Sequence, residues 1–137
     1  MSTSGRGELP PPPIADTLGF TLVEIEPGRA LFEGAPAEWQ YNPLGTVHGG
    51  WIATVLDSAL GCAVHAGLPE DAGYTTMDLQ VRFIRALTVE SGIVRAEGKV
   101  TSSGRRVATA EARLFGKVDG KLYATATTSC LIMQGGK

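Results

Sequence analysis

Asn42-Pro43-Leu44-Gly45-Thr46-Val47-His48-Gly49-Gly50 runs directly into Trp51-Ile52-Ala53-Thr54-Val55-Leu56-Asp57-Ser58-Ala59-Leu60. This junction predicts a polar, glycine-rich loop followed by a long helix over residues 49–66, which lack proline and are apolar on almost every face. Such a helix is usually buried on most sides. Asp57 is the exception, because an uncompensated carboxylate in apolar surroundings must be paired, neutralised or used.

The residues around the helix follow strand patterns. Residues 20–25 and 29–33 are separated by Glu26-Pro27-Gly28, which predicts a hairpin. After a breaker segment at 67–73, strands are predicted over 77–83, 93–100, 107–115 and 121–132, with Asp119-Gly120 as a hairpin turn. The order predicts an α+β fold in which one long helix lies across a curved antiparallel sheet.

The chain length of 137 residues predicts one domain, over residues 14–137. Residues 1–13, with four consecutive prolines, predict a disordered or polyproline II arm. Cys62 and Cys130 lie in apolar runs with no recognisable secretory signal before them, which favours reduced thiols in a cytoplasmic protein.

The charge balance argues against polyanionic partners. Twelve Lys and Arg residues stand against 14 Asp and Glu, for a formal net charge of -2, so we expect neither nucleic acid nor membrane binding. No run is long and apolar enough to span a bilayer. The edge of an open sheet would be covered by a second copy, which predicts a homo-oligomer.

The first turn of the helix offers backbone N–H groups that lack intrahelical partners. Together with the helix dipole, the N–H groups at Gly49 and Gly50 suit a carbonyl oxygen that gains negative charge during acyl transfer. An ordinary loop-to-helix joint is the alternative interpretation of this segment. Gly50, Thr54, Asp57 and Gly61 share one helical stripe, where a ligand could pass, although Asp57 could equally be a structural carboxylate.

The chain, from about Gly19 to Ile132, resembles the hotdog-fold acyl-CoA thioesterases of the phenylacetate-pathway, 4-hydroxybenzoyl-CoA thioesterase-like type. The resemblance depends on the order and spacing of several motifs, namely Asn42-x-x-Gly45-x-x-His48-Gly49-Gly50, Asp57-Ser58-Ala59, Tyr74-Thr75-Thr76-Met77-Asp78-Leu79, Val81-Arg82-Phe83-Ile84-Arg85, Ser103-Gly104-Arg105-Arg106-Val107 and Asp119-Gly120-Lys121. It implies hydrolysis of an acyl-CoA to the free acid and coenzyme A.

The resemblance also implies roles for individual residues. Asp57 would be the catalytic carboxylate, as nucleophile or as general base on water, and the Gly49 N–H would polarise the thioester carbonyl. Asn42 and His48 would shape and orient the loop, and Thr76 would position water or Asp57.

The coenzyme A end of the substrate is assigned to a predicted turn, Ser103-Gly104-Arg105-Arg106. Glycine permits close backbone approach there, and two guanidinium groups could contact phosphates. An ordinary polar hairpin turn is the alternative. No metal or organic cofactor is expected, since coenzyme A enters as part of the substrate and Cys62 with His65 offers too few ligands for a metal.

Helix geometry predicts that the site is shared between subunits. Eight residues separate Gly49 from Asp57, which is roughly 12 Å of axial rise. An Asp side chain recovers only about 3 Å of that, whereas the reacting carbonyl must lie about 3 Å from both groups. We therefore expect Asn42, His48 and Gly49 from one subunit to meet Asp57 and Thr76 of its partner, in a dimer or a dimer of dimers.

Two other functions are compatible with the sequence. One is a hotdog hydratase or dehydratase, which would need a histidine close to the carboxylate, and the other is a non-catalytic acyl-CoA-binding or sensing module. Trp39 and Trp51, on either side of the loop, are candidates for an acyl pocket or for core and interface packing. The sequence does not distinguish between aryl, short-chain and medium-chain acyl groups.

Overall fold

The computed structural model describes residues 10–134, which form two α-helices and six strands. The elements in chain order are α1 (Pro13–Leu18), β1 (Phe20–Glu26), β2 (Arg29–Gly34), α2 (Gly49–Ala66), β3 (Gly73–Phe83), β4 (Val94–Ser103), β5 (Val107–Gly116) and β6 (Leu122–Met133). Short 3-10 turns at Glu38–Gln40 and Val89–Ser91 flank the loop before α2 and the connection after β3. The predicted α+β class is confirmed.

The six strands form one antiparallel sheet in the order β1-β2-β4-β5-β6-β3. The predicted hairpin is present, with Phe20 opposite Gly34. Strand β3 does not pair with its sequence neighbour β4 but crosses to the far edge beside β6. Its outer edge is unpaired among residues 10–134, and Met77 and Phe83 on it are 51% and 56% exposed.

Small side chains on the inner face of the sheet let α2 lie close to it. The buried inner positions of β4, β5 and β6 are largely alanine and glycine: Ala96, Gly98, Ala108, Ala110, Ala112, Ala124 and Ala126. A side chain on Gly98 would meet the backbone of Ala59 on α2, with its Cβ 2.5 Å from the Ala59 carbonyl oxygen. The large aliphatic residues come from the helix, with Val55, Leu56 and Leu60 almost fully buried.

The N-terminal boundary differs from the predicted one. Pro13 was expected in the arm but is the first residue of α1, where proline is well placed because its missing N–H would have no helical partner. Helix α1 ends at Gly19 in a left-handed conformation, φ 76°. Residues 1–9 of the predicted arm lie outside the described residues. Between residues 10 and 134, no helix combines the length and the apolarity that a membrane span requires.

Candidate active site

The first turn of α2 contains one backbone donor that is left open. His48 is the N-cap, and its Nδ1 accepts the Gly50 N–H at 2.7 Å, so this nitrogen carries no proton in that arrangement. The Trp51 N–H donates to the His48 carbonyl. Across residues 10–134, the Gly49 N–H has no hydrogen-bond acceptor. The histidine therefore satisfies Gly50 and leaves Gly49 as the donor available to a ligand.

Asn42 holds the loop in front of the helix. Its Oδ1 accepts the Leu44 N–H at 2.9 Å and the Thr46 N–H at 3.3 Å, and its Nδ2 donates to Thr46 Oγ1 at 3.0 Å. The loop then docks through the Val47 N–H on the Leu87 carbonyl. These bonds give Asn42 the geometry of a loop-shaping residue, because both ends of its amide are used inside the loop.

A pocket of about 340 Å³ lies beside this turn on the β3 side. Gly49 and Asn42 line it, together with Phe83 and Arg85. A Cβ on Gly49 would lie 3.0 Å from Phe83 Cζ, so the phenyl ring covers the glycine directly. Residue 49 is helical and has no unusual backbone angle. The close approach of the phenyl ring therefore explains why a glycine stands there.

Asp57 is half-buried on the same helix and has no partner. Its carboxylate makes no hydrogen bond and no ion pair with any residue between 10 and 134. Burial raises the pKa of Asp57 above the usual value for an aspartate. Burial and the Asp57 charge together raise the pKa of Cys62 to about 11, which places the thiol within the electrostatic reach of the carboxylate.

Asp57 lies near the boundary between α2 and the edge strand β3 (the α2–β3 groove), because its charge acts on Tyr74 of that strand. The two elements are antiparallel, because Phe83 near the end of β3 covers Gly49 and Tyr74 near its start covers Gly61. Asp57 lies between these two contacts. Thr76 is in register with Cys130, and its Oγ1 is 4.0 Å from the Cys130 sulfur, which directs it toward the helix side of the sheet.

The stripe of small and polar helix residues is partly occupied by the chain itself. Gly61 is buried, and a Cβ there would overlap the Tyr74 hydroxyl, so this glycine makes room for Tyr74. A Cβ on Gly50 would lie 3.0 Å from Nδ1 of His48. Thr54 donates to the Gly50 carbonyl at 2.8 Å.

Gly50 and Thr54 instead line a second pocket, of about 370 Å³, on the other side of the helix N-terminus. Trp39, 62% exposed, and Tyr41 form part of its wall. Trp51 closes its floor as a core residue, with its indole N–H donating to the Leu18 carbonyl at 2.8 Å and its ring edge-on to Phe20.

The turn predicted to contact coenzyme A lies far along the sheet from Gly49. The Gly104 N–H donates to the Val107 carbonyl, and the backbone carbonyls of Arg105 and Arg106 accept from Gln134 and Ile132 at the end of β6. In the register of β3 and β6, this is the Tyr74 end of the groove. Ser103, Gly104, Arg105 and Arg106 are all exposed, and neither guanidinium forms an ion pair within residues 10–134.

No group of three or more His, Cys, Asp or Glu side chains in the described part of the chain could hold a metal ion.

Phe83 and Tyr74 are the contacts that sequence reasoning missed. The available signal was the pair of helix glycines, because a glycine at a buried helical position often marks the close approach of a neighbour.

Comparisons with known proteins give the same architecture. A family model described as the thioesterase superfamily matches residues 44–123. Acyl-coenzyme A thioesterase 13 from Mus musculus is 32% identical over 108 residues, covering 76% of this chain and 73% of the relative.

Two solved structures illustrate the fold. A phenylacetic acid degradation-related protein from Ralstonia eutropha JMP134 is 32% identical, with a TM-score of 0.79 over 92% of this chain and 94% of that one. A thioesterase family protein from Silicibacter pomeroyi is 28% identical, with a TM-score of 0.82 over 90% and 91% of the two chains. With its open helix donor and its half-buried carboxylate, the chain belongs to the thioesterase superfamily and is a hotdog-fold thioester hydrolase of the phenylacetate-pathway type.

Proposed function

We propose that the protein hydrolyses an acyl-CoA to the free acid and coenzyme A, in a site that two subunits share. The observation that carries this proposal is a pair of unpartnered groups on one helix, the Gly49 N–H and the Asp57 carboxylate. One is a donor suited to a carbonyl oxygen, and the other is an acid or base with a raised pKa. Relatives that include an acyl-coenzyme A thioesterase support coenzyme A as the carrier.

The Gly49 N–H would bind the thioester oxygen, which gains negative charge as the carbonyl carbon is attacked. In one route, Asp57 takes a proton from water while the water oxygen bonds to that carbon. In the other, Asp57 attacks directly and forms a mixed anhydride that water then hydrolyses. In both, the carbon–sulfur bond breaks, and the thiolate leaves and takes up a proton as coenzyme A. Thr76, in the same groove, would help to position the water.

The placement of the two groups supports a shared site. Gly49 and Asp57 belong to the same continuous helix, and eight residues of helix rise by roughly 12 Å. The exposed apolar side chains at the β3 edge, Met77, Phe83 and Ile84, offer a surface that a second copy would cover. The Arg105 and Arg106 turn lies at the Tyr74 end of the groove, where it would contact the phosphates of a substrate held by the partner's loop.

The direct test is the release of free thiol from a panel of aryl, short-chain and medium-chain acyl-CoAs. The proposal predicts stoichiometric release of coenzyme A and the free acid. Tight binding of acyl-CoA without thiol release would instead identify a sensing module. Conversion of an enoyl-CoA to its hydroxyacyl-CoA with the thioester intact would identify a hydratase.

Mixing of two inactive chains tests the shared site. Hybrids of an Asp57→Ala chain and an Asn42→Ala chain contain one site with both residues intact and one with both replaced. If half of the dimers are hybrids, the mixture is expected to recover about one quarter of the wild-type rate. Thiol release after co-refolding, with hybrid formation verified by differently tagged chains, measures this. Verified hybrids that stay as inactive as their parents would contradict a shared site.

Gly49→Ala is expected to lower kcat/KM by about 10- to 100-fold, because the added methyl group stands between the carbonyl and the N–H. The same methyl group would press on Phe83, at 3.0 Å from Cζ, so the ring needs a separate control. Phe83→Leu removes the ring contact. The double variant Gly49→Ala/Phe83→Leu is expected to remain as slow as Gly49→Ala. If its rate instead rose to that of Phe83→Leu, Gly49 would be needed only to make room for the Phe83 ring.

A further inference from the structure

Tyr74 lies at one end of the groove, against α2. Its hydroxyl lies against Gly61, where no side chain of this helix competes for the space. Its ring lies 5.6 Å from the His65 ring, at an interplanar angle of 55°. Ile132 is opposite it on β6. The phenol therefore lies against two residues of α2, while the backbone of Tyr74 is paired with β6.

The hydroxyl of Tyr74 differs from those of the other two tyrosines of the chain. The Tyr41 hydroxyl accepts the Val89 N–H at 2.9 Å, and the Tyr123 hydroxyl donates to Asp119 Oδ2 at 3.5 Å. The Tyr74 hydroxyl makes no hydrogen bond within residues 10–134. Tyr74 is only half-buried and its hydroxyl is not among the fully buried polar atoms without a partner, so water can reach it and it is available to bond to a water in the groove.

Asp57 is the nearest charged acceptor on the facing helix. It precedes Gly61 by four residues, which places it one turn away on the same helix face. Burial, followed by the charges of Cys62, Asp57 and Cys130, raises the pKa of Tyr74 to about 12. The phenol therefore keeps its proton at neutral pH and can donate it in a hydrogen bond.

We propose that Tyr74 is a positioning residue whose hydroxyl donates to the Asp57 carboxylate through one water molecule. Side chains on a helix lean toward its N-terminus, so the carboxylate points away from Gly61 and a bridging water spans the remaining gap. The proposal rests on the proposed function, in which this is the water that Asp57 activates. The other titratable groups around the pair are Cys62 and His65 on α2 and Cys130 on β6.

Tyr74→Phe tests the proposal because it keeps the ring over Gly61 and removes only the donor. We expect kcat to fall about 10-fold with KM changed by less than about 2-fold. The acid limb of the kcat–pH profile should move to higher pH, because the charged carboxylate loses a hydrogen bond that favours it. Tyr123→Phe is the matched control, because it removes a hydroxyl that donates to Asp119 in the turn between β5 and β6, and it should leave all three quantities unchanged.

A second readout does not require activity. Titration of the Asp57 carboxyl carbon by NMR in the isotopically labelled protein should give a higher pKa in Tyr74→Phe than in the wild type. An unchanged Asp57 titration, or unchanged kcat and acid limb in a variant of wild-type stability, would overturn the role of Tyr74 while leaving thioester hydrolysis intact. The wild type could also release no thiol while the Asp57 titration still shifts in Tyr74→Phe. That result would overturn the proposed function but not the water-mediated contact between Tyr74 and Asp57.

Discussion

Asp57→Asn is expected to lower kcat for acyl-CoA hydrolysis by about 10³-fold, since the amide can neither accept a proton from water nor attack the thioester. The size of the group is preserved, so KM should change little. Steady-state thiol release, with quantitation of the free acid, measures both constants. The loss should be the same for every acyl group, because the carboxylate acts on the carbonyl and not on the chain.

Asp71→Asn is the matched control, because Asp71 is exposed in the loop after α2. It should hydrolyse acyl-CoA at the wild-type rate. Retention of more than about a tenth of kcat in Asp57→Asn would exclude both the nucleophile and the general-base role for this residue.

The same variant should be more stable than the wild type. Burial raises the pKa of Asp57 in the folded protein, so the native state binds more protons than the unfolded state between the ordinary and the raised pKa. The free energy of unfolding therefore falls as pH rises through this window. Above the raised pKa, the charged Asp57 destabilises the folded protein to its full extent. Thermal unfolding at neutral pH should show a higher Tm for Asp57→Asn, and the difference should disappear in acid.

Gly98→Ala is expected to destabilise the fold by about 3 kcal/mol or more, the upper end for overpacking. The new Cβ would lie 2.5 Å from the Ala59 carbonyl oxygen and 2.7 Å from its carbon. These are backbone atoms of α2, so no rotamer change can relieve the contact and the helix must move away from β4. A fall in Tm of roughly 10 °C or more, followed by circular dichroism, is the expected result.

Gly104→Ala provides the comparison, since Gly104 follows the same strand in an exposed turn. The nearest atom to a Cβ there is the Val107 carbonyl oxygen at 3.6 Å, an ordinary contact distance. Its Tm should stay within about 2 °C of the wild type. Equal Tm values for Gly98→Ala and Gly104→Ala would contradict close packing of α2 on β4.

The local pattern of the chain was sufficient for most of the fold. Alternating residues in 77–83 and the apolar run from Trp51 to Val64 correctly predicted β3 and α2, because periodicity records which faces are buried. The hairpin turn at Pro27-Gly28 was also correct, with Gly28 at φ 81°. The short helix α1 was missed, because six residues starting at a proline carry little periodic signal.

The candidate site was predicted less completely. The resemblance and the helix spacing pointed to Gly49 and Asp57, and the structure leaves the N–H of Gly49 and the carboxylate of Asp57 without a partner in the described chain. The contact between Tyr74 and Gly61 was not predicted, because nothing in the spacing of a helix tells which residue of a distant strand covers it. Tyr74 lies 13 positions later in the sequence and reaches Gly61 only through the packing of β3.

The sequence by itself determined the local elements, the position of the polar loop before α2 and the one carboxylate inside that helix. These properties depend on neighbouring residues and on the 1.5 Å rise of a helix, which also sets Gly49 and Asp57 too far apart to act on one carbonyl. Only the tertiary structure decided that β3 crosses to the edge beside β6 and brings Phe83 over Gly49 and Tyr74 over Gly61. Strand order depends on contacts between distant segments, and such contacts leave no periodic signal in the chain.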